Sequence, residues 1–505
     1  MLYNANKGGG RLKGIFLTVD INTVTFPFLE QICTKAEITE GDLHAFVDQY
    51  AETQVTDLAF DIFCQISMTP SAVWSDVLDS YHRTSENGIA VDYKKLLAHY
   101  HRLYELEKID VHAVWLRRCR EKGITPWLSL RMNDCHCPDD KAVWIRGKEF
   151  YEADEKGWKI GNAYGYHRHC FDYANEEFRE RMLSYTEEQV MRYDADGLVL
   201  DFSREWFCFD ILKNPSPSPI MTDFIARVRD ILHRAEEKWG HPWHLHMRVM
   251  RDRLQNKRLG FDLDEICARG LLHSIGVTPR WASNDSDMPI SLFKARYPNI
   301  EVYAGITDLT LLQPTDYEAA AGYAAAYLSM GADKICLYNF FSNPFAPSAQ
   351  NTRLYHSCGS RDSLAYIPRR TVVTYQDIVP IGDAGWCPLP EKADGFALSV
   401  PTGPVEKRED VLLVLGFDRR ISAEELTVTI DGAKASLLGE TNLGRAYADG
   451  KNRIWGKEAV KELYLFTLPD GIKAERSLTL SLTAEDPSLS VSYIEFDFNL
   501  SHPNT

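Results

Sequence analysis

Charged side chains follow directly after an apolar run in the middle of the chain. The run at residues 196–202 (DGLVLDF) contains Asp201 near its end, and Arg204 and Glu205 come immediately after it. A carboxylate at the end of a buried strand is held rigidly and faces the open end of a parallel sheet. With a second carboxyl group nearby, one group can donate a proton while the other attacks or activates water. Asp201 is therefore the first catalytic candidate, and Glu205 and Asp134 are candidates for its partner.

Cleavage of a glycosidic bond is the chemistry that these residues fit best. It requires two carboxyl groups on either side of the bond. Trp206 and Trp281 offer aromatic faces on which a sugar ring can stack. Further candidates for substrate contact lie at or near the carboxyl ends of the predicted strands; they are Asn133, His136, Arg204, His246, Asp308 and Asn339.

Two arginines are predicted to flank Asp201, one on each neighbouring strand. Arg131 and Arg248 can hold Asp201 ionised by lowering its pKa. They can equally bind a carboxylate or sulfate of the substrate, because a guanidinium fork matches such groups. A purely structural ion pair between Asp201 and Arg204 or Arg248 is the alternative to catalysis.

A metal-dependent hydrolase is a further alternative. His244 and His246 alternate along one predicted strand, and Cys135 and Cys137 flank His136. Histidine and cysteine are ligands that zinc prefers. However, no second pair of His or carboxylate residues completes a ligand set at these positions. We therefore predict neither a bound metal nor another cofactor.

The elements that position these residues follow a regular alternation. Short apolar runs alternate with longer amphipathic stretches, which is the pattern of a (β/α)8 TIM barrel. Asn175 is a candidate N-cap for a helix over residues 176–193, and Thr315 or Asp316 for a helix that ends at Gly331. The eight runs are residues 14–20, 57–63, 124–131, 196–202, 242–249, 271–278, 300–307 and 333–340.

The pattern changes after the eighth run. Residues 342–361 are rich in Ser, Asn, Pro and Gly, which predicts a loop or crossover. From about residue 390 onward, strand-like runs follow one another with little helical periodicity. We therefore expect a barrel domain over residues 1–385 and a small all-β sandwich over residues 386–505.

Composition excludes some classes of partner. The chain has 505 residues and a formal net charge of −16, which disfavours nucleic acid and anionic membranes as partners. No apolar run is long enough to span a bilayer, and no secretory signal is visible. The 11 cysteines are scattered, so we expect reduced thiols and a cytoplasmic location. A carbohydrate is the expected partner, and self-association remains open.

Residues 170–209 resemble the glycosyl hydrolase-like family 10 barrels, in which an Asp-x-Ala-Asn/His-Pro-Glu-x-Arg helix precedes Tyr-Asp-x-Asp-Gly and an apolar strand ending in Asp. The resemblance implies a TIM-barrel glycoside hydrolase relative with a C-terminal β-sandwich, and with Asp201 at the acidic position of strand four. Glu176 replaces the proline of the helix. Ser203 stands where chitinase-like barrels carry a catalytic Glu, which argues against a chitinase mechanism. Further matching segments are residues 126–134, 259–262, 287–290, 303–306 and 337–340.

The residues and the resemblance together predict a glycoside hydrolase that acts on an oligosaccharide. The oligosaccharide can be an acidic one, because the arginines can bind a carboxylate or sulfate. A catalytically silent carbohydrate-binding barrel is the alternative from a different functional class. A barrel fold alone does not distinguish them, because one fold serves many functions.

Overall fold

The computed structural model describes most of the chain. For residues 21–25, 91–93 and 165–166 it describes the backbone alone. His136 and Trp281, two of the predicted substrate contacts, lie outside the described residues. The described residues are 14–82, 91–135, 147–161, 165–279, 284, 286–308, 315–373, 389–405, 410–441, 462–468 and 471–500.

Eight parallel strands close into a barrel in the order in which they occur along the chain, which confirms the predicted (β/α)8 fold. Each strand overlaps one of the apolar runs, because strands covered on both faces are apolar throughout. The strands are β1 (Ile15–Val19), β2 (Val55–Phe63), β3 (Thr125–Arg131), β4 (Gly197–Asp201), β5 (His244–Met250), β6 (Ser274–Thr278), β7 (Glu301–Thr307) and β8 (Lys334–Tyr338).

Helices form most of the connections between the barrel strands. Among the described residues, none of them is long and apolar enough to cross a membrane. The helices are α1 (Ile21–Ile32), α2 (Ala45–Asp48), α3 (Val77–His82), α4 (Val91–His101), α5 (Val111–Glu121), α6 (Lys148–Glu152), α7 (Glu176–Arg192), α8 (Ser218–Trp239), α9 (Arg253–Arg258), α10 (Leu263–Ala268), α11 (Ile290–Arg296), α12 (Tyr317–Ser329), α13 (Ala349–Ser357) and α14 (Arg361–Leu364).

Side-chain caps set the beginnings of several helices. Asn175 accepts a hydrogen bond from the backbone N–H of Phe178 at the start of α7, as predicted. Asp316 accepts a hydrogen bond from the backbone N–H of Ala319 at the start of α12. The prediction of a loop over residues 342–361 was wrong in part, because Ser348 caps α13 within it. One of the serines in this segment is thus a helix cap, so a composition rich in Ser and Asn does not exclude a helix.

The interior of the barrel is layered. Side chains of six strands form an apolar middle layer. Because strand side chains alternate, residues two positions further along each strand also face inward, at the carboxyl ends. There the inward residues are polar, and they form the candidate site. The middle layer contains Phe16, Ala59, Trp127, Val199, Tyr303 and Cys336.

The C-terminal part consists of antiparallel sheets with a shared apolar core, which confirms the predicted β-sandwich. Within the described residues, one sheet has the order β10-β18-β12-β16-β15 and the other β11-β17-β13-β14. The strands are β9 (Arg369–Val373), β10 (Glu391–Lys392), β11 (Ala397–Pro401), β12 (Val411–Phe417), β13 (Leu426–Ile430), β14 (Ala433–Lys434), β15 (Ser436–Glu440), β16 (Glu462–Thr467), β17 (Ser477–Ala484) and β18 (Ser490–Phe498).

Strand β9 connects the two parts of the molecule. It precedes the predicted boundary at residue 385, yet it pairs with β18 of the sandwich. It also packs on α12 of the barrel so closely that a Cβ at Gly322 would lie 1.9 Å from the carbonyl oxygen of Arg370. Nη1 of Arg370 is 2.9 Å from Oε2 of Glu495, and its Nη2 is 2.8 Å from Oδ2 of Asp316. One buried guanidinium thus joins the sandwich to the cap of α12.

Replacing Arg370 by Leu should lower the free energy of unfolding by about 3–5 kcal/mol, because it leaves the buried carboxylate of Glu495 without its cation. Urea unfolding at neutral pH measures this loss. Arg420→Leu is the matched control, since the Arg420 side chain is 73% exposed and lies 3.7–3.8 Å from its carboxylates. It should cost less than about 1 kcal/mol. Equal losses for the two variants would contradict the prediction.

Candidate active site

Three of the predicted site residues lie side by side at the carboxyl ends of adjacent strands. Arg131 of β3 is in register with Asp201 of β4, which is in register with Arg248 of β5. Nη1 of Arg248 is 2.5 Å from Oδ2 of Asp201, and the backbone N–H of Ser203 donates to Oδ1 over 2.9 Å. Asp201 is fully buried. Arg248 therefore compensates the charge of Asp201. A purely structural ion pair between the two residues, the alternative to catalysis, would show the same contact.

Arg131 contacts three aspartates at once. Its Nη2 is 2.8 Å from Oδ2 of Asp20 and 3.2 Å from Oδ2 of Asp61. Its Nη1 is 3.1 Å from Oδ2 of Asp134, which also lies 3.5 Å from Nε of Arg204. These contacts join the strand ends into one buried ionic group. We call it the aspartate–arginine cluster; it comprises Asp20, Asp61, Asp134, Asp201, Arg131, Arg204 and Arg248.

Asp61, like Asp20, is a member of this cluster that the sequence analysis missed. It lies in β2 and is 3% exposed. Burial raises the pKa of its carboxyl group to about 7, with Arg131 opposing the rise and Asp20 and Asp201 adding to it. A large fraction of this carboxyl is therefore protonated at neutral pH. The alternation of β2 could have indicated it, because Asp61 shares a face with Ala59 of the barrel interior.

Strand β8 contributes a hydroxyl and an amide. The guanidinium carbon of Arg248 lies 4.1 Å from the ring centroid of Tyr338. Burial raises the pKa of Tyr338 to about 12, and no described residue forms a hydrogen bond with its hydroxyl. Asn339 follows with φ of +67°, a conformation that Asn tolerates better than most residues and that costs about 1–3 kcal/mol. The buried Oδ1 of Asn339 and Nε1 of Trp206 also lack hydrogen-bond partners among the described residues.

Two other predicted site residues bind protein groups next to the cluster. Asn133 is fully buried and donates to the carbonyl oxygens of Phe171 and Phe207 over 3.1 and 2.9 Å. It also accepts from the backbone N–H of Phe171, so it holds together two loops after the strands. Oε2 of Glu205 is 3.0 Å from Nε2 of His167. The roles predicted for Asn133 and Glu205, in substrate binding and catalysis, stay predictions.

His246 lies below the cluster, in the middle layer. Its ring stacks between Phe16 and Tyr303, with centroids 5.1 and 5.0 Å away, and Nδ1 is 2.7 Å from the hydroxyl of Ser274. Burial holds its pKa well below the usual range. The ring of His244 stacks instead on the ring of His273. In the described part of the chain, no three His, Cys, Asp or Glu residues are placed to hold a metal ion.

The half-buried residues of the site form its rim. Asp308 follows β7, and its backbone N–H donates to the carbonyl oxygen of Tyr338 over 3.2 Å. Arg204 has 12% of its side chain exposed, and Asp20 has 15%. With Asn339, they are placed to meet a molecule that enters from solvent. Of the predicted site residues that the structure describes, five lie in the cluster and two at its rim; they are Arg131, Asp134, Asp201, Arg204 and Arg248, and Asp308 and Asn339.

Comparisons with known proteins give matches to solved structures at low identity and low TM-score. No protein-family model and no curated protein matches this sequence. Among solved structures, the PgaB (BpsB) glycoside hydrolase domain from Bordetella bronchiseptica is 9% identical, with 68% of this chain and 98% of that chain covered and a TM-score of 0.42. Alpha-L-fucosidase isoenzyme 1 from Paenibacillus thiaminolyticus is 12% identical, with coverages of 94% and 97% and a TM-score of 0.35.

A third similar structure is a cycloisomaltooligosaccharide glucanotransferase from a Paenibacillus species, at 12% identity and a TM-score of 0.33. The match covers 92% of this chain and spans only 55% of the glucanotransferase. The assignment of the barrel rests on its own closed strand order. The resemblance to the glycosyl hydrolase-like family 10 has no matching family model and stays a prediction.

Proposed function

We propose that this protein is a glycoside hydrolase that cleaves a glycosidic bond in an oligosaccharide through a pair of carboxyl groups. The observation that carries this proposal is the unlike environments of two aspartates in one buried cluster. Burial raises the pKa of Asp61 to about 7, and Asp201 forms an ion pair with Arg248. Carboxyl groups whose environments differ in this way can divide the acid and base roles between them.

Asp61 is the proton donor in this proposal, and Asp201 is the nucleophile or the base that activates water. Asp61 is assigned the proton because burial raises the pKa of its carboxyl group to about 7, although Arg131 lies 3.2 Å away. Arg131 contacts both Asp61 and Asp134, so it fixes the donor relative to the rest of the cluster. Rigid placement of the reacting groups lowers the barrier by reducing the entropy lost on the way to the transition state.

Buried polar atoms without partners support a binding site at the same place. Within the described part of the chain, the hydroxyl of Tyr338, Nε1 of Trp206 and Oδ1 of Asn339 have no hydrogen-bond partner. Buried polar groups in folded proteins nearly always have one. A bound sugar, which carries many hydroxyl groups, would supply these partners. The resemblance of residues 170–209 to glycosyl hydrolase-like family 10 supports the same proposal.

A catalytically silent carbohydrate-binding barrel is the second candidate. It is favoured by the full burial of Asp201 and by the ion pair with Arg248, which a structural role would explain. An acidic substrate, in contrast, has little support, because the guanidinium groups of Arg131, Arg204 and Arg248 all lie within 3.5 Å of aspartates.

Incubation with pools of neutral and of uronic-acid oligosaccharides tests the proposal. We expect new reducing ends and smaller products by mass spectrometry with at least one pool. The rate should not change when a chelator is added, since no step requires a metal. Binding of an oligosaccharide without any product would favour the silent barrel, and loss of rate with the chelator would favour a metal-dependent hydrolase.

A further inference from the structure

The hydroxyl of Tyr338 is a polar group of the site that the paired-carboxyl chemistry leaves unexplained. The residue is 3% exposed and ends β8, and its hydroxyl has no hydrogen-bond partner among the residues that the structure describes. Leaving a buried hydroxyl unpaired destabilises the folded protein. Such a group at the carboxyl end of a barrel strand indicates a partner that binds there.

The ring of Tyr338 is held in place independently of its hydroxyl. The guanidinium group of Arg248 packs on the ring at 4.1 Å and reaches Asp201 with its Nη1. The hydroxyl is therefore positioned beside the ion pair of the proposed catalytic carboxylate. Burial raises the pKa of Tyr338 to about 12, so the hydroxyl keeps its proton and can donate it in a hydrogen bond.

The charges around this hydroxyl decide which oxygen it can bind. The guanidinium groups of the cluster already face aspartates, so no excess positive charge is available to a carboxylate or sulfate of a substrate. Within the described part of the chain, the uncharged buried groups that follow barrel strands and lack a hydrogen-bond partner include a donor, Nε1 of Trp206 after β4, and an acceptor, Oδ1 of Asn339 after β8. A mixture of neutral donors and acceptors matches sugar hydroxyls, which both donate and accept.

We propose that Tyr338 is a substrate-binding residue whose hydroxyl donates a hydrogen bond to an oxygen of an uncharged sugar unit bound next to Asp201. This proposal rests on the proposed function and adds the class of substrate to it. The enzyme should prefer neutral oligosaccharides to uronic-acid oligosaccharides.

Tyr338→Phe tests the proposal, because it removes the oxygen and keeps the ring that Arg248 contacts. The thermal unfolding midpoint should stay the same or rise, since an unpaired buried hydroxyl is lost. With the neutral oligosaccharide that the wild type hydrolyses, kcat/KM should fall about tenfold, the usual size of one lost neutral hydrogen bond. A lower midpoint or an unchanged kcat/KM would overturn it, as would a preference of the wild type for uronic-acid oligosaccharides.

Tyr193→Phe is the matched control. Tyr193 is also buried, but its hydroxyl donates to Oδ2 of Asp110 over 3.0 Å, away from the strand ends of the site. The control should lower the unfolding midpoint and leave kcat/KM unchanged. Tyr338→Phe should therefore lower kcat/KM without lowering the unfolding midpoint, and Tyr193→Phe should lower the midpoint without changing kcat/KM.

A binding measurement separates this proposal from the proposed function. If the wild type hydrolyses no pool, titration calorimetry with the same neutral oligosaccharides replaces the kinetic assay. A dissociation constant about tenfold higher for Tyr338→Phe than for the wild type then supports the proposal without catalysis. Equal binding by the two proteins, or no binding by the wild type, overturns it.

Discussion

Replacing Asp201 by Asn should lower kcat by about 10³-fold, because an amide can neither attack the sugar nor take a proton from water. The substitution keeps the size and shape of the side chain. Oligosaccharide binding should therefore be largely retained while product formation is lost. Initial rates and titration calorimetry with the hydrolysed oligosaccharide measure the two effects separately. Wild-type turnover in this variant would leave Asp201 with the structural role of an ion-pair partner.

The same substitution also affects stability, so it needs a control. Asn at position 201 leaves Arg248 buried without its anion, which costs about 3–5 kcal/mol. Asp57 offers the matched case, because it is 1% exposed, contacts Lys334 and accepts from Nε1 of Trp127 over 3.0 Å at the other end of the barrel. Asp57→Asn should lose comparable stability and keep kcat. Equal loss of kcat in both variants would show that unfolding causes it.

The activity of the wild type should fall on the alkaline side of about pH 7. Asp61 must be protonated to donate, and its pKa is about 7, so kcat/KM declines as the pH rises through that value. Asp61→Asn should lower kcat/KM by about 10²–10⁴-fold and remove this alkaline limb. Measuring kcat/KM of the wild type and of Asp61→Asn from pH 5 to 9 shows whether the alkaline limb is present in each. An unchanged limb in the variant would assign the titration to another group.

Unfolding experiments check the pKa of Asp61 without any substrate. Its pKa of about 7 in the folded protein exceeds the value of about 3.9 in an unfolded chain. The folded state therefore binds more protons between these values. Stability from this group is present below about pH 4 and is lost as the pH rises through 7. Between pH 5 and pH 8 the loss is about 3 kcal/mol, and Asp61→Asn should lack it.

The barrel could be predicted from the sequence because its strands are buried on both faces. Each of the eight strands is therefore a short apolar run, and the runs alternate with amphipathic helices. Asp201 was found because it ends such a run and charged residues follow it. Arg131 and Arg248 were found in the same way, at the ends of the neighbouring runs.

Asp61 could not be assigned in the same way. It shares the run DLAFDIF with Asp57, and both residues face the interior of the barrel. Alternation and strand direction place Asp57 below the middle layer and Asp61 above it, but the register of β2 against the other strands decides that they meet Lys334 and Arg131. That register depends on closure of the barrel, which a single sequence does not specify. The unpaired hydroxyl of Tyr338 likewise emerges only from three-dimensional packing.

Strand β9 contacts both the barrel and the sandwich, so we expect the two parts to be inherited as a unit. Recombination at residue 385 would give the barrel a strand whose partner, β18, belongs to the lost segment. An open strand edge of this kind is a template for aggregation. Recombination before Arg369 would remove the edge but uncover the face of α12 at Gly322. Neither position allows another C-terminal module to replace the sandwich, so the two parts are expected to evolve together.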